Sequence, residues 1–251
     1  MSAQKFKYIG PTEWEKNVGI LRPRIKLTNK NIVRTVNNDQ HHILRDIIDL
    51  YIPDGIECDV TYSKGIFYKG AGIDQPKYKF DLFPQTDDTV MSRAEDLPLE
   101  EGSISSLVFD PPFMAGFTKE HPTGLMGKRF YGYPYVSHLW KWYDECLVEF
   151  HRVLKKKGVL VFKCQDTVSS GKNWFSHVHI MNLAVKAGFY PRDMFVLTAK
   201  NRIIGANHHG KQKHARKFHS YFWVFEKMPC KVDYTIDRHT EVTTPKPREE
   251  K

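Results

Sequence analysis

The chain has 251 residues, of which 41% are hydrophobic and 13% aromatic, and its formal net charge at pH 7 is +9. This length and composition exclude a disordered or fibrous protein and predict a globular α/β domain with a full core. No apolar run approaches the roughly 20 residues of a membrane-spanning helix, and "MSAQKFKYIG" has no signal-peptide core, which predicts a cytoplasmic protein without a membrane partner.

The first half of the chain predicts a polar arm, one helix and four strands. Residues 1–40 are polar and irregular and indicate an N-terminal arm or extension. The stretch "HHILRDIIDLYI", residues 41–52, places its apolar residues on one helical face. Four segments that predict strands follow this helix: "IECDV" at 56–60, "YKFDLFP" at 78–84, a weak strand around Val90, and "ISSLVF" at 104–109.

The second half continues the alternation of helices and strands. Residues 136–155 predict an amphipathic helix that Lys155–Gly158 terminates, and residues 174–188 predict another. Strands are predicted in "VLVFKC", "FYPRDMFVLT" and "HSYFWVFEK", and residues 113–135 form a loop long enough for a lid or recognition loop. We therefore expect three parts: an extension at 1–40, a catalytic domain at 41–228, and a polar, partly disordered tail at 229–251.

The cysteines and histidines do not indicate a metal site. Four cysteines lie far apart without any C-x-x-C pair and predict reduced thiols: Cys58, Cys146, Cys164 and Cys230. Four histidines lie close together in the chain, without a cysteine or an acidic cluster beside them: His208, His209, His214 and His219. We therefore expect no metal ion.

Acidic residues follow four successive predicted strands. Strand–helix alternation predicts a parallel sheet covered on both faces, with the last two strands antiparallel because no helix separates them. Ligands bind outside the carboxyl ends of such strands, where the sequence places four acids: Asp59, Asp81, Asp96 and Asp110. Any one of them alone would be read as a solvated turn residue, but the repetition favours a nucleoside cofactor. The sequence has no G-x-G-x-x-G, so a dinucleotide cradle is unsupported.

The last of these acids opens the motif "DPPF", residues 110–113. Asp-Pro starts turns and Pro-Pro cannot continue a strand, so the fold alone explains the motif equally well. The motif nevertheless resembles the catalytic motif of nucleic-acid amino-methyltransferases that use S-adenosylmethionine, and the likeness extends over residues 41–227. "ECDVTYSKGIFY" resembles their cofactor loop, although "TYSKG" has one glycine where the family has two or more. "YKFDLFP" resembles their acidic second-strand motif.

The resemblance implies a Rossmann-like class I methyltransferase fold: a mostly parallel seven-stranded sheet with a late antiparallel strand and helices on both faces. It implies four catalytic residues: Asp110, Pro111, Pro112 and Phe113. It also implies S-adenosylmethionine as the cofactor, with these binding residues: Asp59, Thr61, Tyr62, Ser63, Gly65, Asp81, Phe83, Asp96, Leu97 and Asp110. The Asp110 carboxylate and the Pro111 carbonyl would each accept one N–H of an exocyclic amino group, and Phe113 would stack on the base.

A local excess of cations favours a nucleic acid as the partner, although a basic net charge also serves solubility alone. Residues 200–217 contain no acid. Six cations in this segment are expected to contact phosphates: Lys200, Arg202, Lys211, Lys213, Arg216 and Lys217. Tyr131 and Tyr133 in the long loop are candidates for base contacts, with ordinary packing as the alternative.

The resemblance implies methyl transfer to N6 of adenine in DNA, because Asp at the first motif position usually accompanies that acceptor. No large target-recognition segment separates the motifs, which predicts short or relaxed sequence specificity, and a base in a duplex would have to leave the stack. Three alternatives stay open: an RNA enzyme acting on adenine N6 or guanine N2, a DNA cytosine-N4 enzyme, and a basic nucleic-acid-binding module without catalysis. A monomer and a homodimer are both compatible with the sequence.

Overall fold

The structure is a computed structural model that describes residues 32–115, 133–199 and 213–228. Every element in these ranges belongs to one compact unit, which begins at Arg34. In these ranges the helices are α1 (Gln40–Tyr51), α2 (Val136–Val153) and α3 (Ser176–Ala187). The strands are β1 (Val36–Asn37), β2 (Cys58–Asp59), β3 (Tyr78–Asp81), β4 (Val90–Met91), β5 (Ile104–Phe109), β6 (Leu154–Cys164), β7 (Thr167–Ser169), β8 (Lys172–Trp174), β9 (Phe189–Thr198) and β10 (His219–Lys227). None of these helices combines the length and the apolar character needed to cross a lipid bilayer.

Eight of the strands form one sheet in the order β1-β9-β10-β6-β5-β2-β3-β4. Strand β10 is antiparallel to both of its neighbours, and the other pairs are parallel. The chain runs outward from β2 to β4 on one side and from β5 to β6 on the other, so the order reverses between β2 and β5. In such Rossmann-like sheets the ligand crevice lies at this reversal. The predicted mostly parallel sheet with a late antiparallel strand is confirmed.

The sheet has eight strands rather than the predicted seven. The additional strand is β1, which lies inside the segment predicted as an arm and pairs in parallel with β9 through Val36 and Val196. The structure also contains an antiparallel hairpin, β7–β8, that the sequence analysis did not predict. Each of these strands has two or three residues, too few to leave a readable hydrophobic period.

Both faces of the sheet are buried, as predicted. Leu107 and Phe109 on β5 belong to a hydrophobic cluster that includes residues of α2 and α3. Val108, between them, is also buried and points to the opposite face, because successive side chains of a strand alternate. Helix α1 contacts β9 and buries Ile43 and Leu44 outside that cluster, which places it on the second face.

Helix α2 ends at Val153 rather than at the predicted residue 155, and Lys155–Gly158 does not terminate it. Leu154 is already extended (φ −73°, ψ 140°) and begins β6. The reason is the register with β5: Leu154 pairs with Ile104, and Val159 pairs with Ser106. Lys155–Gly158 therefore lies in a bulge of β6, and the buried Leu154 contributes to the core from the strand.

We predict that Phe109→Ala lowers the free energy of unfolding by about 3–5 kcal/mol, as large-to-small changes of buried aromatic residues do. The Phe109 ring has no exposed surface and contacts four aromatic side chains of α2 and β6: Trp142, Tyr143, Phe150 and Phe162. Denaturant unfolding measures the loss. Val148→Ala, at an exposed position of α2, is the control and should change stability by less than about 0.5 kcal/mol. Similar losses in the two variants would contradict this core.

Candidate active site

The ends of β2 and β5 are joined through the side chain of Thr61. The Asp110 backbone N–H donates to Thr61 Oγ1 (2.7 Å), and the Thr61 hydroxyl donates to Asp59 Oδ1 (3.3 Å). The Thr61 backbone N–H donates to the same carboxyl oxygen (2.8 Å). Three of the predicted site residues, from two neighbouring parallel strands, therefore meet at the carboxyl edge of the sheet.

The Asp59 carboxyl group lies in the interior, with 3% of the residue exposed. Its Oδ2 accepts a hydrogen bond from the Tyr68 hydroxyl (2.8 Å), so both oxygens are paired within the protein. Burial raises the pKa of Asp59 to about 7, and the charge of Asp110 adds to the increase, whereas the hydrogen bonds from Thr61 and Tyr68 oppose it. Asp59 therefore holds together the loop that follows β2, and its contact with a cofactor stays a prediction.

The loop after β2 has left-handed backbone at Ser63 (φ 51°) and Gly65 (φ 65°). A Cβ atom on Gly65 would lie 2.4 Å from the Tyr62 hydroxyl oxygen, so both the backbone conformation and the packing require glycine there. Tyr62 is buried, and its hydroxyl donates to Gln75 Oε1 (2.5 Å). The Tyr62 side chain thus supports the loop from the interior, and any contact that it makes with a cofactor stays a prediction.

Asp81, at the end of β3, is held by two backbone N–H groups. The Ser63 N–H donates to Oδ2 and the Phe83 N–H donates to Oδ1, each at 2.8 Å. A carboxylate has about four lone-pair positions, so both oxygens retain capacity to accept further hydrogen bonds. The adjacent Phe83 ring is 58% exposed. A carboxylate beside an exposed aromatic ring fits the ribose hydroxyls and the base of a nucleoside.

The remaining two residues predicted to bind the cofactor are placed differently from each other. Asp96 is exposed, whereas Leu97 belongs to the hydrophobic cluster. The Leu97 N–H donates to Glu149 Oε1 (2.8 Å), and Arg152 Nη2 donates to the same oxygen (2.6 Å). Leu97 therefore anchors its turn to α2, and the contact of either residue with a cofactor stays a prediction.

Asp110 forms an ion pair that the sequence analysis did not assign. Lys163 Nζ lies 3.1 Å from Asp110 Oδ2 and 3.0 Å from Gln40 Oε1 at the start of α1. The pairing follows from the sheet register, in which Phe109 lies opposite Phe162. The residue after Phe109 is Asp110 and the residue after Phe162 is Lys163, so these two are neighbours at the edge of the sheet. The available signal was a single lysine in the apolar "VLVFKC", but its partner can be identified only when the register is known.

The two prolines of the motif are fixed against α2. Pro111 is buried, and the Pro112 carbonyl accepts a hydrogen bond from the Tyr143 hydroxyl (2.5 Å). Tyr143 is itself only 1% exposed, so this anchor is rigid. Within the described ranges no residue donates to the Pro111 carbonyl, which is the acceptor expected to bind an amino group.

A cavity of about 460 Å³ adjoins the Lys163–Asp110 pair. It is lined by Lys163, Gln40 and the ring of Phe113, together with Gln165, Thr198 and His219. Of these, Lys163, Thr198 and His219 lie on β6, β9 and β10. Asp59 and Asp81 lie on β2 and β3, on the other side of β5. The edge therefore has two halves, with the Asp-Pro-Pro-Phe motif between them.

A buried polar network supports the cavity wall. The Asp166 carboxylate is 4% exposed and contacts His177 Nδ1 (2.7 Å) and the Tyr221 hydroxyl (3.3 Å). Tyr221 in turn contacts His219 Nε2 (2.9 Å), and Gln165 Nε2 donates to the His219 carbonyl (2.7 Å). Across the described part of the chain, no group of three or more His, Cys, Asp or Glu side chains is arranged to hold a metal ion.

The residues predicted to contact nucleic acid are only partly described. Tyr131, Lys200, Arg202 and Lys211 lie outside the described residues. Lys213 and Arg216 are exposed, and Lys217 Nζ lies 6.0 Å from the centroid of the exposed Phe175 ring. Tyr133 is half-buried and packs on Trp142, with ring centroids 5.3 Å apart, which agrees with the packing alternative. A role in nucleic-acid binding stays a prediction for all of them.

Comparisons with known proteins found similarity at the level of structure. No protein-family model and no curated protein sequence matches the chain. A SAM-dependent methyltransferase from Methanosarcina mazei matches with a TM-score of 0.42 and 11% identity, over 72% of this chain and 97% of the other. A candidate DNA modification methylase from Thermus thermophilus, crystallised with S-adenosyl-L-methionine, matches with a TM-score of 0.37 and 18% identity, over 55% of this chain and 54% of the other.

A third similar structure is the PvuII DNA methyltransferase, which is cytosine-N4-specific, with a TM-score of 0.38 and 17% identity over 52% of this chain and 45% of the other. The match therefore spans about half of each of the two DNA methylase chains. At these identities and TM-scores the similarities do not transfer an activity to this chain. The assignment of the fold rests on the order and direction of its own strands.

We predict that the effect of Asp59→Asn on stability depends on pH. The pKa of Asp59 is about 7 in the folded protein instead of 3.8. Between these two pH values the folded protein therefore keeps the Asp59 proton, whereas the unfolded chain has released it. The wild-type protein therefore loses stability as the pH rises through this window, whereas the variant has no carboxyl group to ionise there. The free energy of unfolding is measured by denaturant at the low-pH and the high-pH end of the window. From the low to the high end, the stability of the variant relative to the wild type should increase by at least about 1.4 kcal/mol, the equivalent of one pKa unit.

Asp74→Asn is the control for this experiment, because it removes one negative charge at an exposed position. Its stability relative to the wild type should stay nearly constant over the same range of pH. A constant difference between Asp59→Asn and the wild type would contradict the buried position of the Asp59 carboxyl group.

Proposed function

We propose that the protein is an S-adenosylmethionine-dependent methyltransferase that acts on N6 of adenine in DNA. The observation that carries the proposal is the position of Asp110. Its backbone N–H is bound by Thr61, and its Oδ2 is bound by Lys163. It lies between the ends of β2 and β3, which fit a nucleoside, and the cavity that Lys163 lines. The rigid prolines that follow keep the Pro111 carbonyl at a fixed position relative to the Asp110 carboxylate.

The residues at the ends of β2 and β3 fit S-adenosylmethionine. The Asp81 carboxylate would bind the ribose hydroxyls, the Phe83 ring would contact the adenine, and the loop at Ser63 and Gly65 would bring its backbone close to the ligand. This cofactor supplies an electrophilic methyl group carried on a sulfonium ion.

The motif supplies what an exocyclic amino group requires. Such a nitrogen is a poor nucleophile because its lone pair is delocalised into the ring. The Asp110 carboxylate and the Pro111 carbonyl each accept one N–H, and together they favour a pyramidal nitrogen and stabilise the positive charge that develops on it. Phe113 lines the cavity and would stack on the base, which contributes about 1–3 kcal/mol.

The substrate is proposed as DNA because of the basic segment and the first residue of the motif. A base in a duplex must leave the stack to enter the cavity, which costs a few kcal/mol. Contacts of Lys213 and Arg216, both exposed, with phosphates would offset that cost. Cytosine N4 and RNA acceptors use the same chemistry and are the substrates to be distinguished by experiment.

We predict that the wild-type protein transfers labelled methyl groups from S-adenosylmethionine to DNA and that mass spectrometry identifies N6-methyl-2′-deoxyadenosine among its nucleosides. Asp110→Ala should lower the rate by about 10²- to 10³-fold, because one of two acceptors aimed at the amino group is lost. DNA affinity, measured in parallel, should change little. Asp144→Ala, which breaks a surface ion pair with Lys186, is the matched control and should retain full activity.

The outcomes separate the alternatives. A label found only in RNA, or only on cytosine, would show that the acceptor is RNA or cytosine and not N6 of adenine in DNA. Binding of DNA without methyl transfer to any nucleic acid would exclude the enzyme and leave a nucleic-acid-binding module. Full activity of Asp110→Ala would remove the motif from the reaction.

We predict that Lys213→Ala and Arg216→Ala reduce the dependence of DNA affinity on salt. Each phosphate contact that is lost should lower the slope of log K against log salt by about 0.9 for duplex DNA. Fluorescence anisotropy over a salt series measures the slope. Lys141→Ala and Lys186→Ala remove cations that are also exposed, from α2 and α3, and should leave the slope unchanged. An equal change in all four variants would show that net charge, and not this segment, determines binding.

A further inference from the structure

Lys163 is held in a defined position next to the catalytic motif. Its side chain is 15% exposed, and its ammonium group contacts Asp110 Oδ2 (3.1 Å) and Gln40 Oε1 (3.0 Å). The ammonium nitrogen also lies 4.9 Å from the Phe67 ring centroid and 5.6 Å from that of Phe222. Contacts on several sides therefore fix the direction of this flexible side chain.

The pair offers one donor toward the cavity, from Lys163, and one acceptor beside it, from Asp110. An ammonium group has three N–H donors, and Asp110 and Gln40 account for two of them. Lys163 also lines the cavity, so its third donor is available to a ligand there. On the acceptor side, Asp110 Oδ2 is the oxygen that Lys163 binds, and among the residues that the structure describes none donates to Oδ1.

We propose that Lys163 and Asp110 together recognise the amidine edge of the acceptor base, that is, an amino group next to an unprotonated ring nitrogen. This proposal rests on the proposed function and specifies which bases the site accepts. Asp110 Oδ1 accepts a hydrogen bond from the amino group, and Lys163 Nζ donates one to the neighbouring ring nitrogen. Lys163 is thereby a residue that determines specificity.

The arrangement divides the possible acceptors by their hydrogen-bonding pattern. Adenine presents N6 beside N1, and cytosine presents N4 beside N3, so each offers a donor next to an acceptor. Guanine presents N2 between N1–H and N3. On its Watson–Crick edge a second donor, N1–H, would face the ammonium group of Lys163, and the acceptor N3 lies on the opposite side of N2, close to the nitrogen that carries the sugar. A buried donor without an acceptor is costly, so a site built for one pattern strongly rejects the other. The pair therefore favours adenine and cytosine over a guanine that enters by its Watson–Crick edge.

The test removes the ring nitrogen and the lysine separately and together. Wild type and Lys163→Met are compared on DNA that contains adenine or 1-deazaadenine at the methylated position, and kcat/KM is measured for each combination. Loss of a hydrogen bond to a charged group lowers kcat/KM by about 10- to 100-fold. We expect that loss for wild type on 1-deazaadenine and for Lys163→Met on adenine. The variant should then discriminate little between the two bases.

Two controls isolate the contact. DNA with 7-deazaadenine, which keeps N1, should react with wild type as adenine does. Lys186→Met removes a surface lysine that also pairs with an aspartate, Asp144, at 3.0 Å, and should keep the wild-type preference for adenine. If cytosine is the acceptor, 3-deazacytosine replaces 1-deazaadenine in the same design.

The outcomes distinguish this proposal from the function on which it rests. If wild type methylates adenine but reacts equally with 1-deazaadenine, or if Lys163→Met discriminates as wild type does, the recognition by Lys163 is wrong and the enzyme stands. If wild type methylates no base, the proposed function itself fails. Should Lys163→Met unfold, Lys163→Gln takes its place, and the wild-type comparison of the two bases decides the proposal by itself.

Discussion

The hydroxyl group of Thr61 is the contact on which the geometry of the site depends. It accepts a hydrogen bond from the Asp110 backbone and donates one to Asp59, so its position and its direction are both determined. The loop after β2 and the motif after β5 therefore cannot shift independently of each other. Transfer of a group between two bound molecules would require that both be held in fixed positions relative to each other, and this single side chain fixes the loop after β2 relative to the Asp-Pro-Pro-Phe motif.

The carboxyl groups of Asp59, Asp81 and Asp110 lie at this edge in three different environments. Asp59 is buried, and its raised pKa of about 7 reflects that burial and the nearby charge of Asp110. Asp81 is bound by two backbone N–H groups, whereas Asp110 is paired with the ammonium group of Lys163. Asp81 and Asp110 thus keep capacity to accept hydrogen bonds from ligands, on opposite sides of the reversal between β2 and β5. The buried Asp59 carboxyl group has both of its oxygens hydrogen-bonded within the protein.

The sequence was sufficient for the architecture and insufficient for the contacts within the site. Long apolar segments such as β5 and α2 could be predicted because their hydrophobic period extends over many residues. Strand β1 (Val36–Asn37) could not be predicted, because only its pairing with β9 defines it. The β7–β8 hairpin could not be predicted either, because its two strands are defined only by their pairing with each other. The Lys163–Asp110 ion pair depends on which residues of β5 and β6 are neighbours, and hydrophobic pattern does not give register. The end of α2 was misplaced for the same reason, because a bulge in β6 extends that strand back to Leu154.

The loop after β2 forms its turn with the single glycine of "TYSKG", because a hydrogen bond compensates for the strain at a second left-handed residue. Within "TYSKG" two residues have left-handed backbone: Gly65 adopts it without steric cost, whereas Ser63 at φ 51° is strained by about 1–2 kcal/mol. The Ser63 N–H donates to the Asp81 carboxylate at 2.8 Å, and a hydrogen bond to a charged group contributes about 1.5–3 kcal/mol. The bond therefore offsets the strain. It also orients Asp81, so the carboxylate proposed to bind a ribose is positioned by the same loop that would lie against the rest of the cofactor.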